Sequence, residues 1–448
     1  MSEIKFLLER FLSEPMAIAV VSNGTPTTYK QLHQLIQIQI AWLNEKKVKA
    51  GTPIILKGDY SPIVISMLLA LIEQRCIVIP LTPESFDSLG EVIGDVGPAS
   101  LITVEDDSVA ISELSVSVVP ELYEEIRSRD APGLVLFTSG SSGKPKAVVH
   151  DFSKLMIKFY LRRPAMITLN FLLFDHWGGL NTLFHCLSNL CLIVMPQNRT
   201  PNHVCLLIEK YRIELLPATP SFLNMLLISR SYKNHDLSSL KLITYGAEPM
   251  SDSTLKNLRK VFPCIEMRQT YGMIELGVLR AKSRDSDSLW LKLGGDGYDL
   301  RVVDGILQVR ADSAMLGYIN AESPFTEDGF FITGDLVECD GEWIRILGRE
   351  SDIINVGGQK VYPSEVESTL LKCPEVADAV VYGEASPILG KVVCATVVLH
   401  EGIKLEDARS SILRFCRARL MPFMVPFKLV AALEIPQSHR LKRVRRKM

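Results

Sequence analysis

Through most of the chain, short apolar runs typical of strands alternate with segments in which apolar residues recur at helical spacing. Apolar runs of four or five residues, typical of buried strands, occur at 17–21, 52–56, 76–79, 192–195 and 240–244. Between these runs, apolar residues recur at helical spacing over 29–46, 204–211 and 251–261. This alternation predicts an α/β fold in which helices cover the faces of sheets.

The pattern changes near residue 295. Short apolar runs at 300–303, 306–309 and 343–346, separated by Gly and Asp turns, predict a small β subdomain. After Gly348 the pattern becomes helix, strand, strand, helix at 364–372, 377–382, 391–399 and 405–419. We therefore predict a large N-terminal α/β domain, residues 1–347, and a small α+β C-terminal domain, residues 348–448.

Two apolar segments near the N-terminus need a specific interpretation. Phe6, Leu7, Phe11 and Leu12 are spaced as one face of a surface helix, and no signal-peptide pattern precedes them. The longest apolar stretch, Ile63 to Ile72, is too short to span a bilayer and predicts a buried helix instead.

Composition narrows the class of protein. A chain of 448 residues with 47% hydrophobic and 22% charged residues is typical of a multidomain globular protein. A formal net charge of −2 predicts no general affinity for nucleic acid or anionic membranes. Nine cysteines follow no metal-binding or disulfide spacing, which indicates reduced thiols and a cytoplasmic location.

The segment from Leu134 to His150 carries the most chemistry. An apolar run leads into six consecutive Thr, Ser or Gly residues, then Lys144 and Lys146, then a second apolar run. Small residues let backbone N–H groups approach phosphate oxygens, and the lysines add positive charge. Pro145 and the following β-like run predict strand–loop–strand rather than a helix-anchored P-loop. An ordinary Gly/Ser turn is the alternative reading of the segment taken alone.

Thr138–Lys146 resembles the phosphate loop of the adenylate-forming superfamily, which includes acyl- and aryl-CoA synthetases. Further segments resemble the superfamily's motifs in the same order: Thr28–Leu32, Tyr245–Ser251, Tyr271–Glu275, Gly317–Tyr318, Thr333–Asp335, Gly348–Glu367 and Pro436–Lys442. The resemblance spans nearly the whole chain. It implies that a carboxylic acid attacks the α-phosphate of ATP, and that a thiol then displaces AMP from the acyl-adenylate.

The resemblance also implies roles for individual residues. Lys442 bridges the forming acyl–phosphate centre, Glu275 binds Mg²⁺, and Thr138 contributes to catalysis. ATP or AMP is bound by Thr138, Ser139, Gly140, Ser141, Ser142, Gly143, Lys146, Gly246, Ala247, Glu248, Tyr271, Gly272, Asp335 and Arg349. Within this set, Tyr271 offers an aromatic face to adenine, and Asp335 and Arg349 bind the ribose. The chain departs from the superfamily pattern at Ile274, where Thr is usual, and at Leu441, where Gly is usual.

The acid and the thiol have their own candidate residues. His176 and Trp177, with Gly246 and Gly272, would line the acyl site, and Gly357 and Gly358 would line a path for a pantetheine arm. Ser351 would be the hinge that rotates the small domain between the two half-reactions. The expected thiol is coenzyme A or a phosphopantetheinyl carrier protein, since the chain ends directly after the lysine motif without a fused carrier domain.

Two other functions remain open at this stage. Asp175 could hold a substrate ammonium, which would make the protein a free-standing amino-acid-activating enzyme. Ile274 and Leu441 could instead mark a catalytically weak nucleotide-binding protein. The acid itself, fatty or aromatic, is not specified by these patterns.

Overall fold

The computed structural model describes residues 3–90, 92–105, 108–115, 119–138 and 144–435. The helices within these ranges are α1 Lys5–Ser13, α2 Tyr29–Glu45, α3 Pro62–Glu73, α4 Pro83–Leu89, α5 Val92–Asp95, α6 Leu122–Ser128, α7 Phe152–Met156, α8 Trp177–Asn189, α9 Pro201–Tyr211, α10 Pro220–Ser229, α11 Asp252–Val261, α12 Pro363–Leu370 and α13 Leu405–Arg417. Short 3₁₀ helices lie at Ile157–Phe159, Ser231–Lys233, Glu350–Asp352 and Pro422–Met424.

The predicted strands are present, together with others that the apolar pattern did not predict. In chain order they are β1 Ile18–Ser22, β2 Thr25–Thr28, β3 Pro53–Lys57, β4 Ile77–Leu81, β5 Ser100–Glu105, β6 Ser108–Glu113, β7 Gly133–Thr138, β8 Lys146–Asp151, β9 Thr168–Leu169, β10 Ile193–Val194, β11 Leu215–Ala218, β12 Leu242–Tyr245, β13 Glu266–Gln269, β14 Gly272–Met273, β15 Gly277–Val278, β16 Ala281–Ser283, β17 Trp290–Leu293, β18 Tyr298–Val303, β19 Ile306–Ala311, β20 Gly317–Tyr318, β21 Phe331–Asp340, β22 Trp343–Arg349, β23 Ile354–Val356, β24 Gln359–Val361, β25 Val376–Ser386, β26 Gly390–Leu399 and β27 Lys428–Ala431.

Two large sheets form the N-terminal domain. The first has the order β20-β8-β7-β4-β3-β5-β6, and the second has the order β13-β12-β11-β9-β10-β1-β2. Their central strands pair in parallel, for example β3 with β4 and β11 with β12. In open parallel sheets, ligands bind beyond the carboxyl ends of the strands. Those ends, near Ala218 and Tyr245, lie at the candidate site described below.

A third sheet, with the order β16-β17-β22-β21-β19-β18, confirms the predicted β subdomain. The small domain contains a separate sheet of β24-β23-β26-β25, with β27 paired to β26. Its hydrophobic cluster draws only on residues between Ile354 and Leu429, so the small domain has a core of its own. The predicted boundary between 347 and 348 falls inside β22, which continues to Arg349. The position of the boundary itself stays a prediction.

Local signals explain where several helices begin. Thr28 and Gln31 form a reciprocal capping box at α2. Ser61 and Thr219 accept backbone hydrogen bonds at the starts of α3 and α10, each followed by a proline suited to the first turn. Residues 64–72 of α3 are all buried, so the longest apolar stretch is a core helix, as predicted.

One detail of the N-terminal prediction is wrong. Ile4, Leu7 and Phe11 are fully buried, whereas the Leu12 side chain is 57% exposed. The inner face of α1 thus uses positions 4, 7 and 11, at the helical spacing of three and four, and excludes Leu12. No helix among the described residues has the length and apolar character needed to cross a bilayer. All nine cysteines lie in the described ranges, and all are free.

Candidate active site

The glycine-rich segment joins two paired strands, as predicted. β7 and β8 are antiparallel, with Thr138 opposite Lys146. The Lys146 ammonium lies 5.0 Å from the centre of the Tyr318 ring. Ser139, Gly140, Ser141, Ser142 and Gly143 lie outside the described residues, so their role at a phosphate stays a prediction.

A buried carboxylate lies where β21 and β22 meet. Asp335 is the direct cross-strand neighbour of Arg349, whose Nε donates to Oδ1 at 3.2 Å. The Tyr271 hydroxyl donates to Oδ2 at 2.7 Å. Burial raises the pKa of Asp335, although Arg349 and Tyr271 both act in the opposite direction. The structure thus brings together three predicted nucleotide-binding residues that are far apart in sequence.

Tyr271 does more than the sequence indicated. Its predicted role was an aromatic face for adenine, which stays a prediction. Its hydroxyl, however, is committed to Asp335, and burial followed by that carboxylate raises the tyrosine's pKa well above its usual value. Tyr271 therefore holds the Asp335 carboxylate in place as a neutral donor.

The turn after β12 approaches neighbouring backbone closely. A Cβ on Gly246 would lie 2.4 Å from Thr270 Oγ1 and 2.7 Å from the Thr270 carbonyl oxygen, so only glycine fits. Ala247 adopts the left-handed conformation, with φ of +70°, which is unusual for a residue with a Cβ. Glu248 Oε1 accepts the Ser221 N–H at 2.9 Å and so ties this turn to the start of α10.

Glu275 lies in the loop between β14 and β15, partly buried. The Tyr318 hydroxyl donates to Oε1 at 2.8 Å, and the Met315 N–H donates to the Glu275 carbonyl at 2.8 Å. Within the described part of the chain, Oε2 makes no hydrogen bond or ion pair. One carboxylate oxygen is therefore oriented by the protein and the other is open to a cation.

His150 is a supporting residue that the sequence interpretation missed. Its Nε2 lies 2.6 Å from the Ile274 carbonyl oxygen, next to Glu275. Burial lowers the pKa of His150 to about 4, so the ring is neutral at pH 7 and donates from Nε2. The Ile274 side chain is 5% exposed and packs in the main core, so Ile274 is a core residue. The departure from the superfamily pattern at position 274 therefore places an apolar side chain in the core.

A small cavity of about 80 Å³ adjoins these residues. It is lined by Leu172, His176, Trp177, Gly178, Asn181, Thr182, Pro217, Ala218, Thr244, Gly246, Ala247, Thr270, Gly272, Met273 and Val278. All four predicted acyl-site residues are in this set. His176 caps α8 by accepting the Gly178 N–H at Nδ1, 3.1 Å away, so its position is fixed by the helix it begins.

Asp175 lies elsewhere. It is 1% exposed, accepts a hydrogen bond from the Ser85 hydroxyl on α4, and is not among the residues that line the cavity. Its Oδ1 has no partner within the described ranges. The amino-acid alternative, which needs this carboxylate at the substrate, gains no support from its position.

The residues of the predicted thiol path lie at the surface, and their role stays a prediction. Gly357 and Gly358 are exposed. A Cβ on Gly357 would contact only Leu389 of the same domain, and one on Gly358 would contact nothing within 4 Å. Ser351 lies exposed in the 3₁₀ helix between β22 and β23. Lys442 lies outside the described residues, so its catalytic role stays a prediction.

Comparisons with known proteins cover both domains. The sequence model of the family described as AMP-binding enzyme matches residues 8–294, and that of the AMP-binding enzyme C-terminal domain matches residues 365–442. An indoleacetate–CoA ligase of Aromatoleum aromaticum is 27% identical, over 95% of this chain and 93% of the relative. A 2-succinylbenzoate–CoA ligase of Bacillus subtilis is 25% identical, over 99% and 97%.

A solved structure resembles the fold closely. The crystal structure of an anthranilate CoA ligase in complex with anthranoyl-AMP superposes with a TM-score of 0.83 at 19% identity. The superposition covers 99% of this chain and 95% of that one. The large α/β domain and the smaller C-terminal domain therefore form a known architecture.

Proposed function

Because the chain belongs to the AMP-binding enzyme family, we propose that it activates a carboxylic acid with ATP and passes the acyl group to a thiol. The observation that carries this proposal is the cluster of Asp335, Tyr271 and Arg349 beside the Glu275 loop and the cavity. Such a cluster suits the two hydroxyls of a ribose, because a carboxylate held by two donors keeps lone pairs for further hydrogen bonds.

The reaction has two displacements. A substrate carboxylate oxygen attacks the α-phosphorus of ATP, the bond to the β-phosphate bridging oxygen breaks, and pyrophosphate leaves. The thiol then loses its proton and its sulfur attacks the carbonyl carbon of the acyl-adenylate. The acyl–oxygen bond breaks, AMP leaves, and a thioester remains.

The first displacement brings two anions together, so donors and cations at the phosphate determine its rate. We assign this work to Thr138, Lys146 and the segment between them, with Lys442 delivered by the small domain. A lysine suits a mobile element, since its charge sits at the end of a long flexible stem.

The residues present fit a magnesium ion. Mg²⁺ binds through one or two carboxylates and substrate phosphates, and it keeps several waters. Glu275 offers one free oxygen, and no group of three acidic, histidine or cysteine side chains forms a closed metal cage within the described ranges. A bound Mg²⁺ would neutralise charge on the phosphate oxygens, while Tyr318 and the His150–Ile274 contact hold the Glu275 carboxylate in place.

The cavity sets a limit on the acid. Its volume of about 80 Å³ is roughly half of the ~150 Å³ of an apolar cavity known to hold benzene. A short acid matches this volume better than an aromatic acid does. We propose coenzyme A as the thiol, with a carrier protein as the alternative, and nine free cysteines support a cytoplasmic location.

The test is an acid-dependent ATP–pyrophosphate exchange assay, run over a panel of short, long and aromatic acids and amino acids. We expect exchange with at least one carboxylic acid and, on addition of coenzyme A, release of AMP with a thioester product. Exchange with amino acids alone would replace this proposal by the amino-acid alternative. Tight ATP binding without any exchange would mean a catalytically silent protein.

A further inference from the structure

A groove of about 610 Å³ lies between the large domain and the small domain. One wall is formed by α10, α11 and the turn after α10, and the other by the segment 371–377 and His400 of the small domain. The groove shares no lining residue with the cavity near His176. Sites for small molecules typically have volumes of about 300–1,000 Å³, so the groove is large enough for a ligand of its own.

Positive charge is concentrated on both walls of this groove. Arg230 and Lys260 line it from the large domain, and Lys372 lines it from the small domain. These three side chains make no ion pair or hydrogen bond with any residue that the structure describes. The acidic residue of the lining, Asp252, is already paired with Lys256 at 2.8 Å. In a chain whose net charge is −2, this excess of cations makes the groove complementary to an anion.

A buried amide adds a donor that the fold holds in place. Asn224 lines the groove and is 5% exposed. Its Oδ1 accepts the Thr254 hydroxyl at 3.5 Å, while its buried Nδ2 has no hydrogen-bond partner in the described part of the chain. Buried donors are nearly always satisfied by protein, water or a ligand. The free N–H groups of Asn224 therefore point to a polar occupant of the groove.

Apolar side chains complete much of the lining. Leu227, Tyr232 and Val261 contribute from the large domain, and Val376 contributes from the small domain. The Tyr232 ring packs edge-on against Phe262, with ring centroids 5.6 Å apart, so its position is fixed by the large domain. Aromatic rings of this kind bury large apolar area against a ligand. A ligand that fills the groove must therefore combine an anionic group with an apolar body.

We propose that the groove binds a small phosphate monoester with an apolar body, and that this ligand contacts both domains. A phosphate monoester carries about 1.5 to 2 negative charges at pH 7 and three acceptor oxygens. That charge suits two lysines and the planar fork of Arg230 better than a single carboxylate does. The site lies apart from the residues assigned to ATP and the acid, so this inference goes beyond the proposed function.

The two walls give such a ligand a conformational effect. Arg230 belongs to the large domain and Lys372 to the small domain, so a ligand held by both binds the present arrangement of the domains better than one in which the walls have separated. A ligand with this preference shifts the population toward the arrangement that it binds. The groove is thus a site at which a phosphorylated molecule outside the reaction stabilises one orientation of the small domain.

Calorimetric titration of the full chain with 1-naphthyl phosphate tests the proposal. Inorganic phosphate and 1-naphthol are the matched partial ligands, since each offers only one half of the probe. We expect 1-naphthyl phosphate to bind roughly tenfold more tightly than either one, because it uses both the cations and the apolar lining. In Arg230→Met and in Lys372→Met the affinity should fall about three- to fivefold each, since exposed charges are partly screened, and about tenfold in the double variant.

The controls remove exposed lysines that do not line the groove. Lys233→Met in the large domain and Lys404→Met in the small domain should leave the affinity for the probe unchanged. Asp335→Asn should also leave it unchanged, because Asp335 lies outside the groove. Hydrogen exchange then measures the bridging of the two domains: the probe should slow exchange in α10 and in 371–377 together.

The outcomes separate this inference from the proposed function. Loss of probe binding in Asp335→Asn, with normal binding in both groove variants, would place the probe at the nucleotide site and overturn the inference. Weaker binding in Arg230→Met with no change in Lys372→Met would overturn the bridging of the domains. Equal affinity for inorganic phosphate would overturn the class of ligand. None of these results depends on ATP–pyrophosphate exchange, so the two proposals succeed or fail independently.

Discussion

The Asp335 cluster, predicted to bind the nucleotide, and the Gly357–Gly358 turn, predicted to guide the thiol, differ in how firmly neighbouring residues hold them in place. Asp335 is buried and fixed by Tyr271 and Arg349 from two other segments. Gly357 and Gly358 are exposed and have almost no neighbours. The comparison shows that the fold itself holds the Asp335 cluster in place, while the thiol path and the rotation of the small domain that would complete it stay predictions.

Lys442→Ala should have the largest effect. Removal of one well-placed charge at the α-phosphate costs roughly 10²–10³ in rate, so acid-dependent pyrophosphate exchange should fall by about that factor. Thioester formation from a supplied acyl-adenylate should change little, because that step does not need the lysine. The control is Lys447→Ala in the same C-terminal segment. Normal pyrophosphate exchange in Lys442→Ala would mean that another residue supplies the positive charge at the α-phosphate.

Asp335→Asn should come next. The change removes the charge that we propose binds the ribose hydroxyls, and it takes from Arg349 its carboxylate partner. Hydrogen bonds to a charged group contribute about 1.5–3 kcal/mol, so AMP affinity should fall roughly 10- to 100-fold by calorimetry. Tyr271→Phe deletes one donor to the same carboxylate and should weaken AMP binding less. Equal affinities in all three proteins would show that the cluster is structural only.

Because His150 is buried in its neutral form, we expect the free energy of unfolding to depend on pH. Its pKa is about 4 in the folded protein, below the usual value of 6.5, so the unfolded chain binds the proton more readily. The stability that neutral His150 contributes is full above pH 6.5 and declines as pH falls toward 4. Near pH 4.5 the loss is about 2–3 kcal/mol.

Denaturant unfolding at pH 7.5 and 4.5 measures this decline. His150→Gln can still donate to the Ile274 carbonyl but has no proton to gain, so its free energy of unfolding should decline less on acidification. Parallel declines in the two proteins would mean that other groups govern acid unfolding.

Gly358→Ala should have the smallest effect, and it should be confined to the second half-reaction. The residue has φ of +88°, a strained value for alanine, yet a Cβ would meet nothing within 4 Å. We expect about a tenfold lower kcat/KM for coenzyme A and unchanged pyrophosphate exchange, since the methyl group would narrow the pantetheine path. Gly402→Ala is matched, with φ of +83° and equally open space. An equal loss of kcat/KM in both variants would mean that backbone strain, and not a narrower pantetheine path, causes the effect.

Local patterns were sufficient for much of the architecture. The spacing of apolar residues predicted α3 as a core helix and the strands on both sides of the phosphate loop, because burial on one face or all round leaves a period in the sequence. Leu12 shows the limit of this reasoning. Its spacing fits the apolar face of α1, but only the packing of the neighbouring elements decides which stripe of a helix is buried.

Motifs predicted candidate residues of the site but not their structural partners. Tyr271 and Asp335 are 64 positions apart, and His150 and Ile274 are 124 apart. No periodicity records such pairs, so the roles of Tyr271, Tyr318 and His150 as supports required the coordinates. Asp175 was ambiguous in sequence for the same reason, since its partner Ser85 lies 90 positions away.

The sequence by itself determined the family and much of the order of the elements, because these depend on local propensity and on motifs of fixed spacing, whereas the residues predicted to face ATP stay a prediction. Only the tertiary structure decided which side chains hold one another and how small the cavity beside them is. The physical reason is that electrostatic balance and cavity shape arise from contacts between distant segments, and these contacts exist only once the chain has folded.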